Sequence, residues 1–102
     1  SNSGYVVIEA EDGVAALEQL QTKMVEVLIT DMNMPRMGGI ELVRTLRQNN
    51  NNIYVIMVTA FGTPDTEKHA FRAGVNEYLT KPFDFEELER RVQAYFARQQ
   101  GS

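Results

Sequence analysis

Three polar residues directly follow or end apolar runs in this sequence, and together they suit phosphoryl chemistry. Asp31 follows the run EVLIT, Thr59 follows IYVIMV, and Lys81 follows EYLT. In open sheets of alternating strands and helices, ligands bind at the carboxyl ends of the strands, so we expect these three side chains at one edge. A carboxylate there suits a nucleophile, and a hydroxyl and an ammonium group suit the binding of phosphoryl oxygens.

Each of the three residues also has an ordinary structural interpretation. Asp31 alone can cap a turn, Thr59 is a normal strand residue, and Lys81 alone is usually a solvated charge. An aspartate at the end of so apolar a strand is nevertheless costly to desolvate unless a cation pairs with it. The prediction of a functional site therefore rests on the combination and not on any single residue.

The composition predicts one globular domain and argues against several classes of function. The chain has 102 residues, 43% hydrophobic and 24% charged, which is enough for a single core. Its formal net charge is -4 and its ten Lys and Arg are scattered, which argues against direct nucleic-acid binding, because phosphate recognition needs a basic patch. Cysteine is absent, no apolar run reaches the ~20 residues of a membrane span, and no signal peptide opens the chain, so we expect a cytoplasmic protein without membrane association.

Four short runs of β-branched and aliphatic residues alternate with segments of helical periodicity. The runs are YVVI (5–8), EVLIT (26–30), IYVIMV (53–58) and EYLT (77–80). Thr63 is expected to cap the third helix, with Pro64 as its first residue and Gly74 as its stop, and the last helix opens on Asp84 with Glu87 three residues on. This alternation predicts an α/β fold, a parallel sheet with helices on both faces.

The segments LITDMNMPRMGGIEL, VIMVTA and EYLTKPF resemble the motifs of the response-regulator receiver domain, the phospho-accepting module of two-component signalling. The resemblance runs from about Tyr5 to Ala97, with the three motifs in the order and spacing of that family. It implies a flavodoxin-like fold and a signalling domain that is no enzyme beyond its own phosphorylation and dephosphorylation. It also implies a histidine kinase or phosphotransfer protein as the phosphoryl donor, and an output domain in the parent protein.

The same resemblance implies a role for each site residue. Asp31 would be the phosphoacceptor and would hold Mg²⁺ together with the backbone carbonyl of Asn33. Thr59 would bind one phosphoryl oxygen, and Lys81 would neutralise another. Such a set would explain why Asp31 is tolerated at the end of an apolar strand, because a cation and Lys81 would stand opposite it.

Two further positions would have conformational roles by this resemblance. Tyr78 would be the aromatic residue that changes rotamer on activation, although taken by itself it is ordinary strand packing. Pro82 would follow Lys81 through a cis peptide bond that aims the lysine inward, which is plausible because bonds before proline have only a small trans preference.

One part of the family pattern is missing. A receiver normally begins one strand earlier, and that strand ends in two acidic residues that hold Mg²⁺. Glu9, Glu11 and Asp12 follow the run that resembles the family's second strand, so we expect them to be solvated loop charges and not replacement ligands. A cation held by so few ligands would bind weakly. The expectation is thus an N-terminally truncated receiver over residues 4–99, an incomplete (βα)4 version of the (βα)5 fold, with 1–3 a cloning remnant and 100–102 a tail.

The missing unit also affects the sheet. In the family's strand order, 2-1-3-4-5, the missing strand is central, so residues 5–8 would face a gap beside the run at 26–30. The chain could pair these two strands directly or recruit a second copy. We expect a homo-oligomer, because direct pairing leaves too few helices on one face and an open apolar edge favours intermolecular pairing.

Functions of three classes remain open at this point. The first is the phospho-accepting receiver that switches an output partner. The alternative is an interaction or dimerisation fragment that no longer accepts phosphate. The third, less favoured, is a phosphatase with an aspartyl nucleophile, which typically needs a general acid two residues after the nucleophile, where this chain has Asn33.

Overall fold

The computed structural model describes residues 6–60 and 62–100. Its strands are β1 (Val7–Ala10), β2 (Val27–Asp31), β3 (Tyr54–Thr59) and β4 (Glu77–Thr80), and its helices are α1 (Gly13–Thr22), α2 (Gly39–Gln48), α3 (Pro64–Ala73) and α4 (Phe85–Gln100). The alternation predicted from the sequence is confirmed, although β1 begins two residues later than the run YVVI. The predicted remnant at 1–3 and residues 101–102 of the predicted tail lie outside the described residues, while Gln100 ends α4. No described helix has the length and apolar character needed to cross a membrane.

The four strands form one parallel sheet in the order β1-β2-β3-β4. Helices α1, α2 and α3 pack on one face, where Leu28, Val55 and Met57 are completely buried. Strands buried on both faces are expected to be almost continuously apolar, and the run at Tyr54–Thr59 fits that description. We call this the three-helix face.

Among the described elements, only α4 packs on the opposite face, which we call the one-helix face. Its apolar contacts join Leu88 and Phe96 of the helix to the sheet residues Val27, Ile29, Ile56, Val58 and Leu79. A polar cluster adds to them: Arg91 donates to Glu77 at 2.6 Å and to Glu87 at 3.0 Å. The prediction of helices on both faces is therefore confirmed, but three described helices cover one face and one covers the other.

The expected gap beside the first strand is absent, and that expectation was wrong. β1 pairs directly with β2, so that Val7 lies opposite Val27 and Ala10 lies opposite Thr30. The physical reason is that backbone groups of an apolar strand must find partners, and the nearest parallel strand supplies them within the same chain. The cost foreseen for direct pairing is visible on the one-helix face, where Val7 remains 39% and Phe85 66% exposed.

The third helix has the ends that the sequence predicts. Thr63 is its N-cap, Pro64 is its first residue, and Gly74 closes it in the left-handed conformation with φ of 115°. That φ suits glycine because a Cβ would clash with the backbone there. The guanidinium group of Arg47 in α2 donates to the carbonyl oxygen of Gly74 at 2.7 and 3.2 Å, which joins the end of α3 to α2.

Candidate functional site

Asp31 and Lys81 meet at the carboxyl edge of the sheet. Asp31 is the last residue of β2, Lys81 directly follows β4, and Lys81 Nζ lies 3.3 Å from Asp31 Oδ2. The other carboxylate oxygen, Oδ1, accepts the N–H of Asn33 at 3.2 Å. Both side chains are partly exposed, 34% for Asp31 and 45% for Lys81, so the ion pair adds little stability and its main effect is to orient the carboxylate.

A cavity of about 350 Å³ opens in front of this pair. Its polar wall contains Asp31, Asn33 and Lys81, and its apolar floor is formed by residues of β2, β3 and α4 that include Ile29, Val58 and Leu88. Small-molecule sites begin at about this size and combine an apolar surface with a few placed polar groups. The cavity can therefore admit a phosphoryl group to the Asp31 carboxylate.

Glu9 and Glu11 also line this cavity, although the sequence suggested only solvated loop charges. Both are exposed, as expected, but their position follows from the pairing of β1 with β2. Because Ala10 lies opposite Thr30, Glu11 follows β1 at the level where Asp31 ends β2. Their place at the cavity could have been predicted from the sequence only by assuming that β1 pairs directly with β2.

The donor groups at this edge do not amount to a preformed Mg²⁺ site. Carboxylate and carbonyl oxygens are the ligands that this cation prefers. Within residues 6–60 and 62–100, however, no group of three Asp, Glu, His or Cys side chains is placed to hold a metal ion. Of the predicted ligands, the Asp31 carboxylate already accepts bonds from Lys81 and Asn33. The residues present therefore do not fit tight metal binding.

Thr59 ends β3, next to the residue that pairs with Asp31, but its side chain is completely buried. It is not among the residues that line the cavity, while its carbonyl oxygen accepts the N–H of Lys81 at 2.8 Å. The structure thus brings Asp31, Asn33 and Lys81 together at the cavity, whereas Thr59 follows Val58 in β3 and is not among the lining residues. The peptide bond between Lys81 and Pro82 is cis.

The loop after Asp31 approaches its strand closely. A Cβ on Gly39 would lie 2.2 Å from the carbonyl oxygen of Asp31, so any side chain there would displace the start of α2. The N–H of Gly39 donates to the carbonyl oxygen of Met32 at 2.9 Å. Glycine at this position therefore lets the backbone at the start of α2 come close to the site.

Asp12 has a role that the sequence analysis missed. It caps α1 by accepting the N–H groups of Val14 and Ala15 at 2.9 and 3.1 Å, and it accepts a 2.8 Å bond from Arg36 in the loop after β2. The bond from Arg36, with help from the Ala15 N–H, holds the pKa of the Asp12 carboxyl below its ordinary value. Asp12 thus ties the loop after Asp31 to α1, and the signal for its capping role was the Asp-Gly pair before a helical pattern.

Tyr78 lies on the other face of the sheet from the cavity. It pairs with Met57, whose side chain belongs to the three-helix face, and its hydroxyl lies 3.1 Å from Thr66 Oγ1 in α3. Asp31, in contrast, pairs with Val58, whose side chain belongs to the one-helix face. The predicted chemical group and the predicted switch residue are therefore separated by the sheet.

Comparisons with known proteins give one consistent family. The model of the response regulator receiver domain matches residues 1–93. The chemotaxis protein CheY of Pseudomonas aeruginosa is 40% identical over 95 residues, which cover 91% of this chain and 77% of that protein. The response regulator MprA of Mycobacterium ulcerans is 37% identical over 98 residues, but the chain spans only 42% of its length. A solved structure, the receiver domain of Francisella response regulator 1452, superposes with a TM-score of 0.82 at 36% identity and covers 88% of this chain and 74% of that one.

Proposed function

Because the chain belongs to the response regulator receiver family, we propose that it accepts a phosphoryl group on Asp31 and responds by a conformational change. The observation that carries the proposal is the placed carboxylate at the end of β2, with Lys81 Nζ 3.3 Å from one oxygen and an open cavity in front. A carboxylate in that setting is accessible to a donor, and the ammonium group is placed to offset added negative charge.

The proposed reaction is a phosphoryl transfer to an oxygen of Asp31. That oxygen attacks the phosphorus atom, the bond from phosphorus to the donor nitrogen or oxygen breaks, and its electron pair leaves with the donor. The product is an acyl phosphate beside Lys81, which pairs with one of its oxygens. We include Thr59 as the ligand of another oxygen, which requires its hydroxyl to reach the cavity from its buried position.

The proposed donor is a histidine kinase or a phosphotransfer protein, and the proposed recipient of the response is an output domain. The relationship to response regulators supports both, and the chain spans less than half of the MprA sequence that it matches. Mg²⁺ association, through Asp31 and the carbonyl of Asn33, is proposed to be weak, because the described residues supply no cluster of three ligand side chains.

A second candidate function is an interaction module that no longer accepts phosphate. The observation that favours it is the uneven cover of the sheet: Val7 on the edge strand β1 and Phe85 on α4 are exposed apolar side chains. An open edge of this kind supports pairing with another copy, so a homo-oligomer is part of this candidate. Sedimentation at low protein concentration tests it, and a monomer would argue against it.

A phosphodonor separates the candidates. We would treat the wild type, Asp31→Asn and the matched exposed control Asp65→Asn with acetyl phosphate and excess Mg²⁺, and measure the intact mass. A hydroxylamine-sensitive gain of one phosphoryl group in the wild type and Asp65→Asn, but not in Asp31→Asn, is the expected result. Equal labelling of all three would refute the assignment of Asp31. Steady consumption of the donor without an adduct would favour a phosphatase, and no reaction would favour the interaction module.

A further inference from the structure

An apolar groove lies between β1 and α4 on the one-helix face. Its apolar side chains are Val7 and Ile29 from the sheet and Phe85, Leu88 and Val92 from the helix, and its volume is about 260 Å³. Val7 and Phe85 are exposed, so part of this apolar surface faces water. We call it the β1–α4 groove. Apolar surface collected in a concave site of a folded protein is typical of a place where another molecule binds.

The groove has the width of one helix. α4 packs against buried side chains of β2, β3 and β4, and no residue of β1 belongs to that cluster. The cluster is centred on β3, and β1 lies two strands away from β3 in the sheet. Neighbouring strands lie ~4.8 Å apart, which separates β1 from β3 by ~10 Å, and packed helices lie ~8–10 Å apart. A second helix beside α4 would therefore lie over β1 and cover the groove.

The charged side chains among the described residues that line the groove are two carboxylates, Glu9 on β1 and Glu89 on α4. Both side chains are exposed, and neither forms an ion pair with a residue at 6–60 or 62–100. No lysine or arginine is among these described lining residues. Covering a carboxylate without giving it a partner costs free energy, because the charge loses its water. An occupant of the groove must therefore bring cations.

This requirement distinguishes between the possible occupants. Both carboxylates would repel an anionic membrane surface, and a neutral apolar ligand would leave them without partners. A second copy that packs the same side of its own α4 into the groove brings apolar side chains but also Glu89, and none of the α4 residues that line the groove is a cation. A helix of another protein with lysine or arginine beside its apolar side chains meets the requirement.

We propose that the β1–α4 groove binds a helix of another protein that is apolar along one side and carries lysine or arginine beside that side. The apolar side chains of this helix cover Val7 and Phe85. One of its cations pairs with Glu89 and another pairs with Glu9. Binding involves no phosphoryl group, so this docking surface goes beyond the proposed function and does not depend on it.

The first test uses a synthetic amphipathic peptide as long as α4, with leucine at every third or fourth position and lysine beside the leucines. A control peptide has glutamate in place of every lysine. Amide chemical shifts of the isotope-labelled chain are recorded without any phosphodonor. They should change at Val7, Ile29 and Val92 with the lysine peptide and stay constant with the glutamate peptide. Constant shifts at these residues with the lysine peptide, or equal changes with both peptides, would overturn the proposal.

Matched charge reversals then show whether the groove itself is responsible. Glu89→Lys removes one carboxylate of the groove, and Glu67→Lys makes the same change on α3, where the exposed Glu67 lies in an apolar patch with Phe71. Glu89→Lys should weaken binding of the lysine peptide by about tenfold, the factor that a lost charge-assisted hydrogen bond gives, and Glu67→Lys should leave it nearly unchanged. Equal losses would mean attraction by net charge alone, and a loss in Glu67→Lys only would place the peptide on α3. Either result refutes the proposal.

The apolar part of the groove has its own matched pair. Phe85→Ala should weaken binding of the lysine peptide, because its leucines lose exposed apolar surface, whereas Phe71→Ala on α3 should not. Both phenylalanines are exposed, so both variants should fold. Groove resonances that change on dilution of the free chain would show that a second copy occupies the groove, and would count against a helix of another protein. Failed labelling of Asp31 would refute the proposed function and leave all these results standing.

Discussion

Three described helices pack on one face of the sheet and one packs on the other, and this difference matches the two tasks of the proposed function. The three-helix face buries Leu28, Val55 and Met57 completely and carries Tyr78 against α3. The one-helix face leaves Val7 exposed, and the cavity at Asp31 opens on the same face, at the carboxyl edge of the sheet. Chemistry with an external donor needs access, whereas a conformational signal needs close packing, because packed elements shift between discrete arrangements and do not deform continuously.

The largest expected effect contrasts one leucine on each face. Leu42→Ala on the three-helix face should lower the free energy of unfolding by ~2–5 kcal/mol, because the residue is completely buried and its neighbours cannot fill the space. Leu88→Ala on α4 should cost less, because Leu88 lines the open cavity and water can occupy part of the vacated volume. Urea unfolding of both variants measures the difference. Equal losses would show that the two faces are packed equally well.

A smaller loss of stability is expected where Arg47 of α2 binds the end of α3. The guanidinium group of Arg47 donates to the carbonyl oxygens of Gly74 and Asn51 and to the side chain of Asn76, and burial lowers its pKa. Arg47→Met should cost about 1–3 kcal/mol, because partly buried acceptors lose their donors. Arg44→Met, on the exposed side of the same helix, is the matched control and should be nearly neutral. Similar unfolding midpoints for the two variants would show that the hydrogen bonds of Arg47 do not stabilise the packing of α2 against α3.

Lys81→Ala should have little effect on stability and a large effect on the response. The pair with Asp31 is partly exposed, so its loss should change the free energy of unfolding by less than about 1 kcal/mol. Without the ammonium group, occupation of the site should no longer be communicated to Tyr78. Chemical shifts near Tyr78, recorded with and without beryllofluoride, measure the coupling. An undiminished shift in the variant would mean that Lys81 does not connect the two faces.

The smallest expected effect concerns pH and Asp12. Its pKa in the folded chain lies below the ordinary 3.8, mainly because of the bond from Arg36. The stabilising contribution of its charge is therefore present above the unfolded pKa and is lost as the pH falls through the folded pKa. The stability difference between the wild type and Asp12→Asn should be present at pH 7 and should vanish at acid pH, as measured by urea midpoints. A difference independent of pH would show that the charge does not contribute.

Local signals allowed α3 to be predicted almost residue by residue. Thr63, Pro64 and Gly74 determine its start and end through their own backbone preferences, which do not depend on the rest of the fold. The meeting of Asp31 and Lys81 was also predictable, because the carboxyl ends of parallel strands lie at one edge. These features share one property: each follows from short sequence segments and a general rule of parallel sheets.

The pairing of β1 and the surroundings of Tyr78 could not be predicted in the same way. Which strand lies beside Val7 depends on the competition between distant strands, and the family's usual order gave the wrong answer. The contact between Thr66 and Tyr78 depends on the placement of two side chains across a helix and a strand. The burial of Thr59 likewise depends on what packs over the end of β3, which no local pattern encodes.

The most direct test of the account asks whether occupation of the one-helix face is felt on the three-helix face. Beryllofluoride and excess Mg²⁺ would be added to the wild type and to Asp31→Asn, and backbone and tyrosine resonances would be followed by NMR. We predict shifts both at Asp31 and Lys81 and across the sheet at Tyr78 and Thr66, and none of them in Asp31→Asn. Shifts confined to the surroundings of Asp31, or equal shifts in the two proteins, would contradict this prediction.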